Sequence, residues 1–236
     1  MRGSHGIALI LVLLVTSFLS AMALGVAVAV SMARLADGNL GGDVARLYAA
    51  DAGIALAAHE LDGQPDWDAV LSGRAQGAFN DGAPSGSRNI PGGGWLSLTA
   101  ATHTLNCGRP TGCTPGQLSA NSRDRPWGAN NPVWQPFAYG RVSDLAPQER
   151  PSPDYLVVWV ADDEREEDGD PSADEGMPGR PGRGVVRVHA EAFGPMGARR
   201  AVEAELARVC WVEQGEERCQ PGIRVQSWRE VRQLVP

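Results

Sequence analysis

From Ile7 to Ala33 this chain carries no charged side chain: "IALILVLLVTSFLSAMALGVAVAVSMA". As a helix that stretch is about 40 Å long at 1.5 Å per residue, more than the ~30 Å hydrocarbon core of a bilayer. A cleaved secretory signal has an apolar region of only about 7–15 residues followed by an A-x-A-like site. Ala21-Met22-Ala23 offers such a site, yet the apolar run continues through "LGVAVAV" and cleavage there would leave a sticky N-terminus. The run therefore predicts a single membrane-spanning helix over residues 7–33. Arg2 and His5 on one side against Arg34 on the other slightly favour an orientation with the N-terminus inside.

The helical pattern continues past the membrane. Leu40, Val44, Leu47, Ala50, Ile54, Ala57 and Leu61 recur three or four residues apart, an apolar stripe on an amphipathic helix. "ADGNLGG" (36–42) interrupts it with Gly38, Gly41 and Gly42, and each interior Gly costs about 1 kcal/mol. The pattern fits one long helix with a soft middle or two helices with a joint. Gly63 and Pro65 supply the stop.

The rest of the chain is rich in turns, with 29 Gly and 17 Pro in 236 residues. A net charge of −7 argues against a nucleic-acid partner, which needs a basic face. Cys107, Cys113, Cys210 and Cys219 allow three pairings. Loop-closure entropy favours the two short ones, Cys107–Cys113 and Cys210–Cys219. Neither pair has CxxC spacing or an adjacent His, so zinc is a poor fit. Disulfides place the domain in an oxidising compartment beyond a membrane.

Residues 63–153 show little periodicity; Trp67, Trp95, Trp127 and Trp134 are read mainly as packing anchors for long loops, with a carbohydrate or partner contact as the alternative. From 154 onward the pattern is β. "YLVVWVAD" (155–162) is apolar on both faces. "GVVRVHAEAFG" (184–194) alternates, with Val186, Val188, Ala190 and Ala192 on one face and Arg187, His189 and Glu191 on the other. "GPMG" marks a hairpin, residues 199–213 continue as strand, and "IRVQSWREV" (223–231) closes the sheet. His59, His103 and His189 read as surface histidines. No nucleophile motif, P-loop or dinucleotide fingerprint occurs, so no enzyme is expected.

"DDEREEDGDPSADEG" (162–176) invites one further comparison. On the EF-hand spacing, Glu164, Glu166, Asp168, Asp170, Ser172 and Glu175 fall at the ligand positions and Gly169 at the sharp turn. Glu replaces Asp at the first two positions and no helices flank the loop. Calcium is the minority reading; a solvated acidic loop is the other.

Two of these segments together resemble a known family. "HGIALILVLLV" followed by Ala50-Asp51-Ala52-Gly53-Ile54 in "LYAADAGIALAAHEL" looks like the N-terminal region of PilX-type minor pilins of type IV pili. It is similar also to the K-type pseudopilins of type II secretion. "GVVRVHAEAFGPMGARRAVEAELARV" and "SWREV" resemble the C-terminal strands of PilX-like proteins. The resemblance implies an α+β, type IV pilin-like fold: a long N-terminal hydrophobic helix packed on an antiparallel sheet with long loops. It implies a leader over residues 1–6, cleavage between Gly6 and Ile7 by prepilin peptidase, N-methylation of Ile7, a helix over 7–62 and a globular domain over 63–236. It further implies a non-enzymatic protein of the inner membrane, its C-terminal domain periplasmic and later extracellular in the pilus. Its partners would be other minor pilins, the major pilin, the inner-membrane assembly platform and a tip adhesin.

The sequence departs from the family in two places. Ile7 replaces the usual Phe, and Leu11 stands where major pilins have Glu. A buried carboxylate needs a partner; a subunit with nothing above it has none to offer, so Leu11 suggests a position at or near the filament tip. The rival within the class is a type II secretion pseudopilin. The rival of another class is a bitopic anchor carrying a periplasmic calcium- or ligand-binding domain.

Overall fold

The structure is a computed structural model, and it describes residues 5–145, 151–166, 169–174, 184–213 and 216–231. It divides into two units, residues 1–44 and 45–236.

The first unit is helical throughout its described part and belongs to α1 (His5–Asp62). Helix persists through the glycines of 36–42, which is the first of the two alternatives, a continuous helix rather than two with a joint. Ile10–Arg34 is long and apolar enough to cross a membrane, and none of it is buried. Thr16 and Ser31 return their hydroxyls to the carbonyls of Val12 and Ala27, which hides their polarity inside the helix surface.

The second unit opens on the remainder of α1. Ala50, Ile54, Ala57 and Leu61 of the predicted stripe are buried, whereas Leu40 and Val44 further up are exposed. They pack on a five-stranded antiparallel sheet built from β3 (Gln135–Arg141), β4 (Tyr155–Asp162), β5 (Val185–Phe193), β6 (Arg199–Ala207) and β9 (Arg224–Val231). The strand order is β3-β4-β5-β6-β9. The short helix α2 (Trp67–Leu71), capped by Asp66, adds Trp67, Val70 and Leu71 to the same core. Gly53 is what lets α1 lie close. A Cβ there would stand 3.0 Å from Ala190 Cβ and 3.1 Å from both Leu156 Cδ1 and Val158 Cγ2. The neighbouring Asp51 accepts a hydrogen bond from the Trp228 indole at 2.8 Å and so fastens the edge strand β9 to the helix. Arg46 pairs with Asp154 at 3.3 Å, both nearly buried.

β4, β5 and β9 fall where their patterns placed them. The run 199–213 is not one strand: it breaks into β6 and a small hairpin of β7 (Cys210–Glu213) and β8 (Glu216–Cys219). β3 and α3 are the longest of the elements that the sequence reading missed. β3 contains Pro136 and Gly140, poor strand formers. It is tolerated because it is an edge strand with a bulge between Pro136 and Ala138. Gly140 makes room for the Phe79 ring, whose Cζ lies 2.7 Å from where a Cβ would sit. The helix α3 (Leu98–Cys107) has weak helix formers at Thr99, Thr102, His103, Thr104 and Asn106. Ser97 at its start and Gly108 in the left-handed conformation at its end were the legible signals.

α3, a two-stranded ribbon of β1 (Ser87–Asn89) and β2 (Trp95–Ser97), and the loop around the helical turn α4 (Pro115–Leu118) belong to the opposite side of the sheet. There Ile90, Leu96, Leu98 and Trp134 pack with Tyr139, Tyr155, Val157, Trp159 and Phe193. The strands β3, β4 and β5 are therefore covered on both faces, while the edge strand β9 stays exposed.

Two disulfides join Cys107 to Cys113 and Cys210 to Cys219. The second closes the β7–β8 hairpin at its open end. A loop that short confines the unfolded chain by about 2–3 kcal/mol. Replacing Cys210 and Cys219 together by Ser is expected to lower the unfolding free energy by about 2 kcal/mol, read by denaturant titration of the purified protein. No loss would mean the hairpin folds independently of the bridge.

Candidate functional site

The most exposed apolar surface is on the N-terminal helix. Ile10, Leu13, Phe18 and Leu24 are all bare, as is Leu11 at 58% exposure. Ala21, Ala23, Gly25 and Ala27 interrupt these bulky side chains, and nothing lies within 4 Å of a Cβ built on Gly25. Such a surface requires lipid or other helices around it, and small residues let neighbouring helix backbones approach. Gly6 and Ile7 lie in the first turns of α1.

The sheet carries a second group. His189 is buried, which corrects its reading as a surface histidine. Alternation placed it rightly on the face away from α1, but that face is covered. Its Nδ1 lies 3.0 Å from Glu203 Oε1 and its Nε2 3.8 Å from Glu191 Oε2. Trp134 and Trp159 stand edge-on around the ring at 5.8 and 5.7 Å. Glu203 also accepts from Arg187 Nη2 and from Arg229 Nε, each at 3.1 Å. Burial by itself would raise the Glu203 carboxyl, but the hydrogen bond and charge of His189 and the two arginines hold it at about 2. Burial works to lower the His189 imidazole, and the two carboxylates outweigh it, so its affinity for a proton is raised. The arrangement is an imidazole held between two carboxylates that favour its protonated form, a cluster of titratable groups on the covered face.

The acidic loop is partly described. Glu164 spends its carboxylate on Arg187 at 3.1 Å. Its carbonyl and that of the buried Glu166 receive the Asn130 amide. Asp170 receives the hydroxyl and backbone N–H of Ser172 at 2.6 and 3.0 Å, which lowers its pKa. Gly169 adopts φ of 82°, the left-handed turn that its place in the EF-hand spacing asks for. Asp168 and Glu175 lie outside the described residues. Among the described residues, the acidic side chains that converge here are Asp163, Glu164 and Glu205, with oxygens within 4.8 Å of one another. Only Glu164 belongs to the set spaced for calcium.

The tryptophans divide. Trp67 and Trp134 are core residues, as packing anchors should be, but Trp95 is 76% exposed and Trp127 38%. His59 lies in the last turn of α1, and His103 sits on α3 rather than in a loop. No family model, curated protein or solved structure matches this chain.

Proposed function

We propose that this chain is a PilX-like minor pilin of a type IV pilus, which primes filament assembly and sits at or near the tip. The observation that carries the reading is the conjunction within α1. A fully exposed apolar segment able to span a membrane is followed by Ala50-Asp51-Ala52-Gly53-Ile54. In that signature Gly53 seats the helix on an antiparallel sheet and Asp51 holds the edge strand.

The mechanism is assembly, not catalysis. Prepilin peptidase removes residues 1–6 while the helix lies in the inner membrane. The helix then exchanges lipid contacts for contacts with the helices of other minor pilins and the major pilin. Lipid tails are as apolar as leucine, so the exchange rests on close packing at Ala21, Ala23, Gly25 and Ala27. Leu11 offers no carboxylate to a subunit above it, which suits an initiating subunit.

The test is the intact mass and N-terminal sequence of the protein purified from its native membrane. A chain beginning at Ile7 with one added methyl group is the expected result. A chain that still begins at Met1 would make it a plain membrane anchor, and one that begins at Leu24 a secreted protein; either overturns the proposal.

A further inference from the structure

A cleft of about 770 Å³ opens on the sheet face away from α1. Its walls are the C-terminal half of α3 and the loop from Gln117 to Trp134; β5, β6 and β9 contribute Arg187, Glu203 and Arg229. Three properties bear on what it could hold.

The first is its charge. The chain as a whole is at −7, yet arginines outnumber carboxylates along this lining four to three. The second is Arg125. Its Nη2 donates to the carbonyls of Pro132 at 2.6 Å and Leu118 at 3.4 Å, while Nε and Nη1 are buried without a hydrogen-bond partner. No ion pair to Arg125 occurs among the described residues. Arg187, whose own charge is met by Glu164 and Glu203, faces it across the cleft lining and adds repulsion. A half-buried guanidinium beside another cation is costly, and an anion in the cleft would lower that cost through its charge. The third is the aromatic wall. Trp127 remains partly exposed although the Arg187 guanidinium lies 5.9 Å from its ring centre; the same guanidinium lies 5.5 Å from the ring centre of the buried Trp134. A partly exposed indole offers a flat apolar face with polar groups close by.

We infer that this cleft is a binding site for an acidic oligosaccharide, a glycan bearing uronic-acid carboxylates. The carboxylate comes under the positive charge of Arg125 and of Arg109, which also lines the cleft, and the C–H face of a pyranose ring lies on Trp127. Ring hydroxyls meet the polar side chains Gln117, Ser122 and Asp124 along the wall. A wide, wet cleft suits a ligand with many hydroxyls, because bridging waters serve there nearly as well as direct hydrogen bonds. The inference goes beyond the pilin reading and does not depend on it: a plain anchor would carry the same cleft.

The test is calorimetric titration of the full-length protein in lipid nanodiscs. The probe is a tetrasaccharide of alternating glucuronic acid and N-acetylglucosamine, compared with the same sugar after reduction of its carboxylates to alcohols. The acidic form is expected to bind, with the reduced form weaker by about tenfold or more, as loss of a charge-assisted hydrogen bond implies. Trp127→Ala is expected to abolish the heat and Trp127→Phe to retain it. If Trp127→Ala does not fold, the comparison of the two sugars and Trp127→Phe still decide the matter. Equal binding of both sugars, no binding at millimolar concentration, or affinity unchanged in Trp127→Ala would each overturn the inference. So would displacement of the sugar by a short peptide with a free C-terminal carboxylate that binds more tightly, since the cleft would then be a polypeptide site.

Discussion

Replacing Glu203 by Gln is expected to lower the unfolding free energy by about 3 kcal/mol at neutral pH. One carboxylate, 12% exposed, stands among His189, Arg187 and Arg229. Gln keeps the shape but removes the charge and turns an N–H₂ toward donors. Arg229 is two-thirds exposed and returns to water. Arg187 keeps Glu164 at 3.1 Å. His189 is left with Glu191 at 3.8 Å inside an apolar ring of tryptophans, and gives up its proton more readily.

The same cluster sets the pH dependence. Glu203 titrates at about 2 in the folded protein against an ordinary 4.5, so its contribution is complete above pH 4.5 and is lost as pH falls toward 2. His189 is shifted upward, so its contribution is complete below pH 6.5 and is lost as pH rises through the folded value. Urea unfolding of wild type and Glu203→Gln at pH 3, 5 and 7 is the measurement. The wild-type advantage should be largest at pH 5 and smaller at pH 3. A constant difference across the three would show that the cluster does not titrate with folding.

Gly53→Val should cost more, at about 3 kcal/mol or above. The Cβ alone meets Ala190, Leu156 and Val158 at 3.0–3.1 Å, and Val adds two methyl groups to a helix that cannot retreat without opening the core. Its helix propensity exceeds that of Gly by only a few tenths of a kcal/mol. Gly41→Ala, at a site with nothing within 4 Å, is the contrasting substitution and is expected to be neutral or slightly stabilising. Thermal melting followed by circular dichroism compares them. Shortening the opposing side chain should relieve the clash. The double variant Gly53→Val with Leu156→Ala is therefore expected to lose less than the two single losses combined. Simple additivity would mean that Gly53 does not set the helix-to-sheet distance.

Much of this architecture could be read along the chain. The uncharged run after Gly6 demands an apolar surrounding whatever follows it. The 3–4 spacing from Leu47 to Leu61, the alternation in β5 and the apolar run of β4 each express a local periodicity that the finished structure keeps. Short cysteine separations made the two local bridges the cheapest to close. Loops carry no such period, and this is where legibility failed. β3 is recruited through its neighbour β4, and α3 depends on Ser97 and Gly108 at its ends more than on the residues between them.

An N-terminal helix that cannot rest in water and a β-rich domain with paired cysteines follow from local composition and spacing alone. That the polar side of β5 is also covered came from long-range packing. Alternation distinguishes an apolar face from a polar one, but whether the polar face meets solvent depends on where a distant segment lies. Here α3 and the loop beyond it come to rest over Arg187, His189 and Glu191. That burial turns three ordinary strand residues into a charge cluster, and it shapes the cleft between Arg125 and Trp127.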